Sequence, residues 1–117
     1  MRLNEIEYSD ADPIDGYGPG FFRIGGQIWT GHVITGPKGT RAWDGYTDLD
    51  SILELADSID VLFVGTGNEV AHLPAELRAT LDAAGLGVEG MTSPAAARTY
   101  NVLLSEGRRV AVALLSV

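Results

Sequence analysis

The second half of the chain alternates between short apolar runs and stretches with helical spacing. Val61-Leu62-Phe63-Val64 is a continuous apolar run between turn residues, the pattern of a buried strand. Before it, Leu49, Ile52, Leu53 and Ala56 stand at i, i+3, i+4 and i+7, which predicts an amphipathic helix. Thr47 with Asp50 resembles a capping box for that helix, with Asp in place of Glu. After the run, Leu73, Leu77 and Leu81 repeat every fourth residue, Pro74 stands where an N1 proline belongs and Gly85 where a C′ glycine belongs. Leu86 to Glu89 reads as a short strand. Ser93, followed by Pro94 and three alanines, opens a third helix that runs to Glu106 and stops at Gly107. Arg109 to Leu115 is a last strand, apolar on both faces and so expected at the centre of its sheet. Strands alternating with helices imply β-α-β units and a layered α/β core.

The first third has a different texture. Phe21 to Ile24 and Gln27 to Thr30 flank Gly25-Gly26, a pair that lets both residues of a primed hairpin turn take positive φ. A second hairpin is predicted from His32 to Thr35 and Thr40 to Trp43, around Gly36-Pro37-Lys38-Gly39. Trp29 and Trp43 are expected to pack in this antiparallel region. Trp43-Asp44 is no propeller signature, because no repeat of about forty residues exists. Residues 1–20 carry Glu5, Glu7, Asp10, Asp12 and Asp15 among Pro13, Gly16, Gly18, Pro19 and Gly20, and read as a short strand or arm followed by an irregular loop. A calcium loop starting at Asp10 fails on register: Ile14 falls on a ligand position, Asp15 on the required glycine and Phe21 on the closing glutamate.

Composition narrows the choice of function. With 117 residues and 12.4 kDa, the chain suits one domain, divided here into an acidic arm over 1–20 and an α/β domain over 21–117. A hydrophobic fraction of 45% is too high for disorder. The absence of cysteine excludes disulfides, thiolate metal sites and thiol nucleophiles together. Sixteen acids against eight bases give a net charge of −8, which repels phosphate backbones and argues against nucleic acid as a partner. The opening Met1-Arg2-Leu3-Asn4-Glu5 has no apolar leader core, and the longest apolar stretch, Val110 to Leu115, is far short of the ~20 residues a spanning helix needs. No membrane insertion is expected, and the cytoplasm is the default compartment.

Two loops are candidates for chemistry. Gly65-Thr66-Gly67-Asn68 follows a buried strand, where open α/β sheets collect ligands and where glycine N–H groups can approach an anion. Val70 replaces the third glycine of a dinucleotide fingerprint and no Gly-Lys-Ser/Thr follows, so a tight structural turn is the favoured reading. Met91-Thr92-Ser93-Pro94 forms a strand-loop-helix junction whose free N–H groups suit an anion, although Ser93 acting only as its helix cap is favoured. If the two units share one sheet with parallel strands, Thr66 and Ser93 face one crevice. Arg98, Asn101 and Ser105 form a stripe on the third helix. Asn101 is costly in mid-helix, which predicts a side-chain partner for it. Glu106 opposes the helix dipole and is expected to pair with Arg98, Arg108 or Arg109. His32 and His72 lie in different elements, so no metal site is expected. Ser93 lacks a Gly-x-Ser-x-Gly elbow and a base, and no catalytic residue is assigned. No cofactor motif is present.

Val64-Gly65-Thr66-Gly67, the run Met91-Thr92-Ser93-Pro94-Ala95-Ala96-Ala97-Arg98-Thr99-Tyr100-Asn101-Val102-Leu103, Glu106-Gly107-Arg108 and Val110-Ala111-Val112-Ala113-Leu114 closely resemble the domain-of-unknown-function 498 family. Trp43 and the Phe21 to Gly36 hairpin region look like that family as well. The resemblance implies a three-layer α/β domain with a mixed central β-sheet flanked by helices and an additional N-terminal antiparallel β layer. It also implies a non-enzymatic role, because the family includes a mitochondrial complex I assembly factor that works by interaction. A protein partner is therefore expected. The alternative is a small anionic-ligand module using Gly65, Thr66, Gly67, Asn68, Thr92, Ser93, Arg98 and Asn101. An enzyme is the third possibility. Oligomeric state is not legible, although edge strands in the first third offer pairing between copies.

Overall fold

Among the described residues, 11–117 of a computed structural model, eight strands and three helices form two sheets and their cover. The acidic positions Glu5, Glu7 and Asp10, and with them the start of the calcium-loop register, lie outside the described residues. Strands β1 (Ile14–Gly18), β2 (Phe21–Ile24) and β3 (Gln27–Thr30) make an antiparallel sheet. Strands β4 (Val33–Gly36), β5 (Gly39–Ala42), β6 (Val61–Gly65), β7 (Gly87–Met91) and β8 (Val110–Leu114) make a mixed sheet in the order β5-β4-β8-β6-β7. The helices are α1 (Leu49–Leu53), α2 (Ala75–Ala83) and α3 (Ser93–Ser105).

The apolar pattern explains the layering. Along β8, Ala111 and Ala113 point to one face and Val110, Val112 and Leu114 to the other, and all five are buried. On the first face they meet Leu62 and Val64 of β6, Ile52 of α1, and Leu77 and Leu81 of α2. On the second face they meet Phe63, the α3 residues Ala96, Ala97 and Tyr100, and Ile14, Phe22 and Ile24 of the small sheet. The molecule is thus three layers deep: α1 and α2, the mixed sheet, then α3 beside the small sheet. β6 pairs in parallel with both β7 and β8, and β4 pairs antiparallel to β8. The chain steps outward from β6 to β7 through α2 and returns across β6 to β8 through α3. Opposite directions of travel place the two helices on opposite faces, as right-handed crossovers demand.

The turn at Gly25-Gly26 takes φ of +57° and +83°, which fits the primed hairpin. The second hairpin closes at Gly36↔Gly39, with β4 in the mixed sheet rather than beside β3. The two tryptophans therefore part. Trp29 packs partly buried against the α3 side, whereas Trp43 is buried on the opposite face and donates its indole N–H to the Asp48 carbonyl at 3.1 Å. Ile14–Gly18, read within the arm and loop, pairs with β2 through an irregular register between Ile14 and Gly16.

Three start signals shift by one residue. Asp48, not Thr47, caps α1, accepting from the Ser51 N–H at 3.2 Å. Pro74 is the N-cap of α2 rather than N1. Thr92, not Ser93, caps α3, accepting from the Ala95 N–H at 3.3 Å. The strand read at Leu86 to Glu89 runs two residues further, because pairing with β6 continues to Gly65↔Met91.

Tyr100 is fully buried, and its hydroxyl donates to the Asp12 carbonyl at 2.9 Å. Burial pushes its pKa up from the ordinary 10.0, so the fold holds the neutral phenol. An unfolded chain releases that proton near pH 10, so this group's stability is whole below about pH 10 and declines as the pH rises further. Denaturation curves across the alkaline range should show that decline. Tyr100→Phe should flatten it while costing about 1 kcal/mol at neutral pH for the lost hydrogen bond.

Candidate functional site

The parallel strands β6 and β7 deliver their carboxyl ends to one place, where the β6-α2 loop, the β7-α3 loop and the segment after β8 meet. Gly67 and Ser93 come together there: the Ser93 N–H donates to the Gly67 carbonyl at 2.8 Å and the Gly67 N–H donates to Ser93 Oγ at 2.9 Å. Ser93 Oγ in turn donates to the Leu115 carbonyl at 2.7 Å. With Thr92 capping the helix, the Ser93 hydroxyl is released from that duty and joins three chain segments. Ser93 is fully buried.

Thr66 is also engaged by the chain's own backbone. The Thr66 N–H donates to the Met91 carbonyl at 2.8 Å, and its hydroxyl donates to the Glu69 carbonyl at 2.6 Å. The Leu115 N–H donates to the Gly65 carbonyl at 3.0 Å. Next along, the Ser116 N–H donates to His32 Nδ1 at 2.9 Å. Gly65 is buried against Ser93: a Cβ there would lie 2.5 Å from Ser93 Oγ and 2.7 Å from Ser93 Cα. Side chain and backbone of this chain thus bond to one another where an open α/β sheet offers a crevice. Sequence reasoning missed Leu115, Ser116 and His32. No pattern marks a backbone carbonyl as the acceptor for a distant hydroxyl, and the lone His32 has no nearby partner in sequence.

The α3 stripe divides. Arg98 is exposed, as is Asn68 in the β6-α2 loop. Asn101 has the partner that its mid-helix position demanded. Its Oδ1 accepts from the Ile14 N–H at 2.8 Å and its Nδ2 donates to the Ile14 carbonyl at 2.9 Å. One amide thereby substitutes for a neighbouring strand and fastens β1 to α3. Ser105 Oγ donates to the Val102 carbonyl of its own helix at 2.6 Å. Asn101→Leu should leave both Ile14 groups without this partner and destabilise by about 1–3 kcal/mol. Hydrogen exchange should show the Ile14 amide losing protection before the β8 amides do.

The expected Glu106 ion pair is not formed among the described residues. Arg109 pairs instead with Asp60 at 3.3 Å, because Asp60 immediately precedes β6 and Arg109 precedes β8 in adjacent parallel strands. Among the described residues no group of three or more His, Asp or Glu side chains is placed to hold a metal ion. The Ser93 hydroxyl has carbonyl and N–H partners only, so the geometry gives it no base to accept its proton. What the arrangement does chemically is to satisfy buried backbone groups at the meeting of three segments.

The chain is 47% identical over 115 residues to an uncharacterized protein of Rhodobacter capsulatus, covering 98% of this chain and 93% of that one. It is 33% identical over 122 residues to the Danio rerio NADH dehydrogenase (ubiquinone) 1 alpha subcomplex assembly factor 3, covering 98% of this chain and 70% of the relative. Among solved structures, a Bartonella henselae chain described as an outer membrane protein superposes with a TM-score of 0.85 at 38% identity, over 94% of this chain and 98% of that one. No described helix here is long and apolar enough to cross a membrane. Residues 14–115 match the proteins of unknown function designated DUF498/DUF598, and the chain belongs to that family.

Proposed function

We propose that the protein is a non-enzymatic interaction module that assists the assembly of a respiratory complex of the complex I type. The single observation that carries this reading is the engagement of its polar groups by the chain's own backbone. Ser93 Oγ, the Thr66 hydroxyl and the Asn101 amide all bond to backbone of this chain. A hydroxyl held between an N–H and a carbonyl in a closed interior is available to no substrate. Gly65, Thr66, Gly67, Thr92, Ser93 and Asn101 then serve the fold, and the surface serves the partner. The relation to an assembly factor supports the kind of partner.

The test is genetic and biochemical. Deleting the gene in its native host should lower the amount of fully assembled NADH-oxidising complex on native gels and leave its subunit transcripts unchanged. Expression of the wild-type chain should restore the assembled complex. Unaltered assembly in the deletion strain overturns the reading.

A further inference from the structure

β7 ends the mixed sheet, so among the described residues one row of its backbone N–H and C=O groups has no strand beside it. Gly87, Glu89 and Gly90 on it are exposed, and two of its five residues are glycines. At the carboxyl end of this edge opens a cleft of about 240 Å³ lined by Val70, Ala71, His72, Leu73, Arg78 and Gly90. Its lining departs from the rest of the molecule in two ways. The chain carries sixteen acids and eight bases, yet the lining holds Arg78 and His72 and no carboxylate. Val70 is also 77% exposed, the most exposed of the large apolar side chains described. Glu89, the acid of β7, alternates with Gly90 and so points to the opposite face of the sheet from the cleft. Among the described residues Arg78 enters no ion pair.

We propose that an extended segment of a protein partner docks along β7 and places a carboxylate side chain in this cleft. Main-chain hydrogen bonds add it to the sheet as a further strand. Val70 and Leu73 receive an apolar side chain of the segment. Arg78 pairs with its carboxylate, with the His72 imidazole beside it as a further hydrogen-bonding group. Charge complementarity selects the occupant: a basic segment gains from the protein's overall charge but meets Arg78 at the cleft, whereas an acidic segment meets its counter-charge only there.

This inference rests on the reading of the chain as an interaction module and adds the surface and the chemistry of its partner. A random peptide library displayed on phage should be selected against the full chain, and the enriched peptides resynthesised. Enriched sequences should combine alternating apolar residues with an Asp or Glu. Arg78→Gln should weaken their binding by about tenfold or more, while Arg23→Gln, at an exposed position in the small sheet, leaves it unchanged. Amide spectra of the labelled chain should shift at Gly87–Met91 and at Val70–Arg78. Failure to enrich any sequence, binding insensitive to Arg78→Gln, or shifts confined to another face overturns the proposal. None of these failures touches the assembly reading, which stands or falls on the deletion strain.

Discussion

Gly65→Ala is expected to be among the most damaging single substitutions in the protein, destabilising by at least the upper end of the about 1–3 kcal/mol typical of overpacked cores. An added Cβ would meet Ser93 Oγ at 2.5 Å, Ser93 Cα at 2.7 Å and Leu114 Cδ2 at 2.8 Å. None of the three can step aside cheaply. Ser93 Cα belongs to the first turn of α3, its hydroxyl is held from two sides, and Leu114 is fully buried. The backbone of Gly65 is not in the left-handed region, so the penalty comes from close approach of β6 to α3 and not from φ. Gly16→Ala provides the control: a Cβ there meets nothing within 4 Å, and the change should stay within about 0.5 kcal/mol. Urea denaturation of the two variants beside wild type measures the difference.

Ser93→Ala should be nearly as damaging, by about 3 kcal/mol. The change strands the Gly67 N–H and the Leu115 carbonyl in the interior, and each buried group without its partner costs about 1–3 kcal/mol. Thr92→Ala, one residue earlier, removes only a helix cap and should cost about 1 kcal/mol. The ranking separates a junction from a cap. If Ser93 were merely the cap, the two variants would exchange places in the denaturation series. Hydrogen exchange adds a local readout, since the Gly67 amide should lose protection in Ser93→Ala and keep it in Thr92→Ala.

Much of the fold was legible because its signals are periodic and local. The continuous apolar run at Val61 identified a buried strand and that at Val110 a central one, and the four-residue spacing of Leu73, Leu77 and Leu81 identified α2. Asn101 was legible for a different reason. An amide in mid-helix competes with its own backbone unless something else engages it, and here β1 does. What escaped was set by tertiary register. Which of two adjacent hydroxyls caps α3 depends on the angle at which the chain leaves β7, so Thr92 and Ser93 exchanged roles. The two hairpins of the first third look alike in sequence. Only the pairing of Val33–Thr35 with Val112–Leu114 sends the second into the mixed sheet, and that contact spans most of the chain. Arg109 found Asp60 rather than Glu106 because strand adjacency outweighs sequence adjacency.

In the candidate site, sequence correctly brought the Gly65-Thr66-Gly67 loop and the Ser93 helix start together, conditional on two parallel strands in one sheet. It could not see that Leu115, after β8, would bond to both. Leu115 contributes a carbonyl and Ser116 an N–H, groups that every residue possesses and no motif announces.

On the proposed function these polar groups hold shape and transform nothing. The most direct test of this is to incubate the purified chain with a small-molecule extract of its native host and follow the mixture by mass spectrometry, beside Ser93→Ala at a temperature where both remain folded. Identical metabolite profiles are expected for the two proteins and for a blank. A metabolite consumed by the wild-type chain and spared by the folded variant would contradict the proposed function.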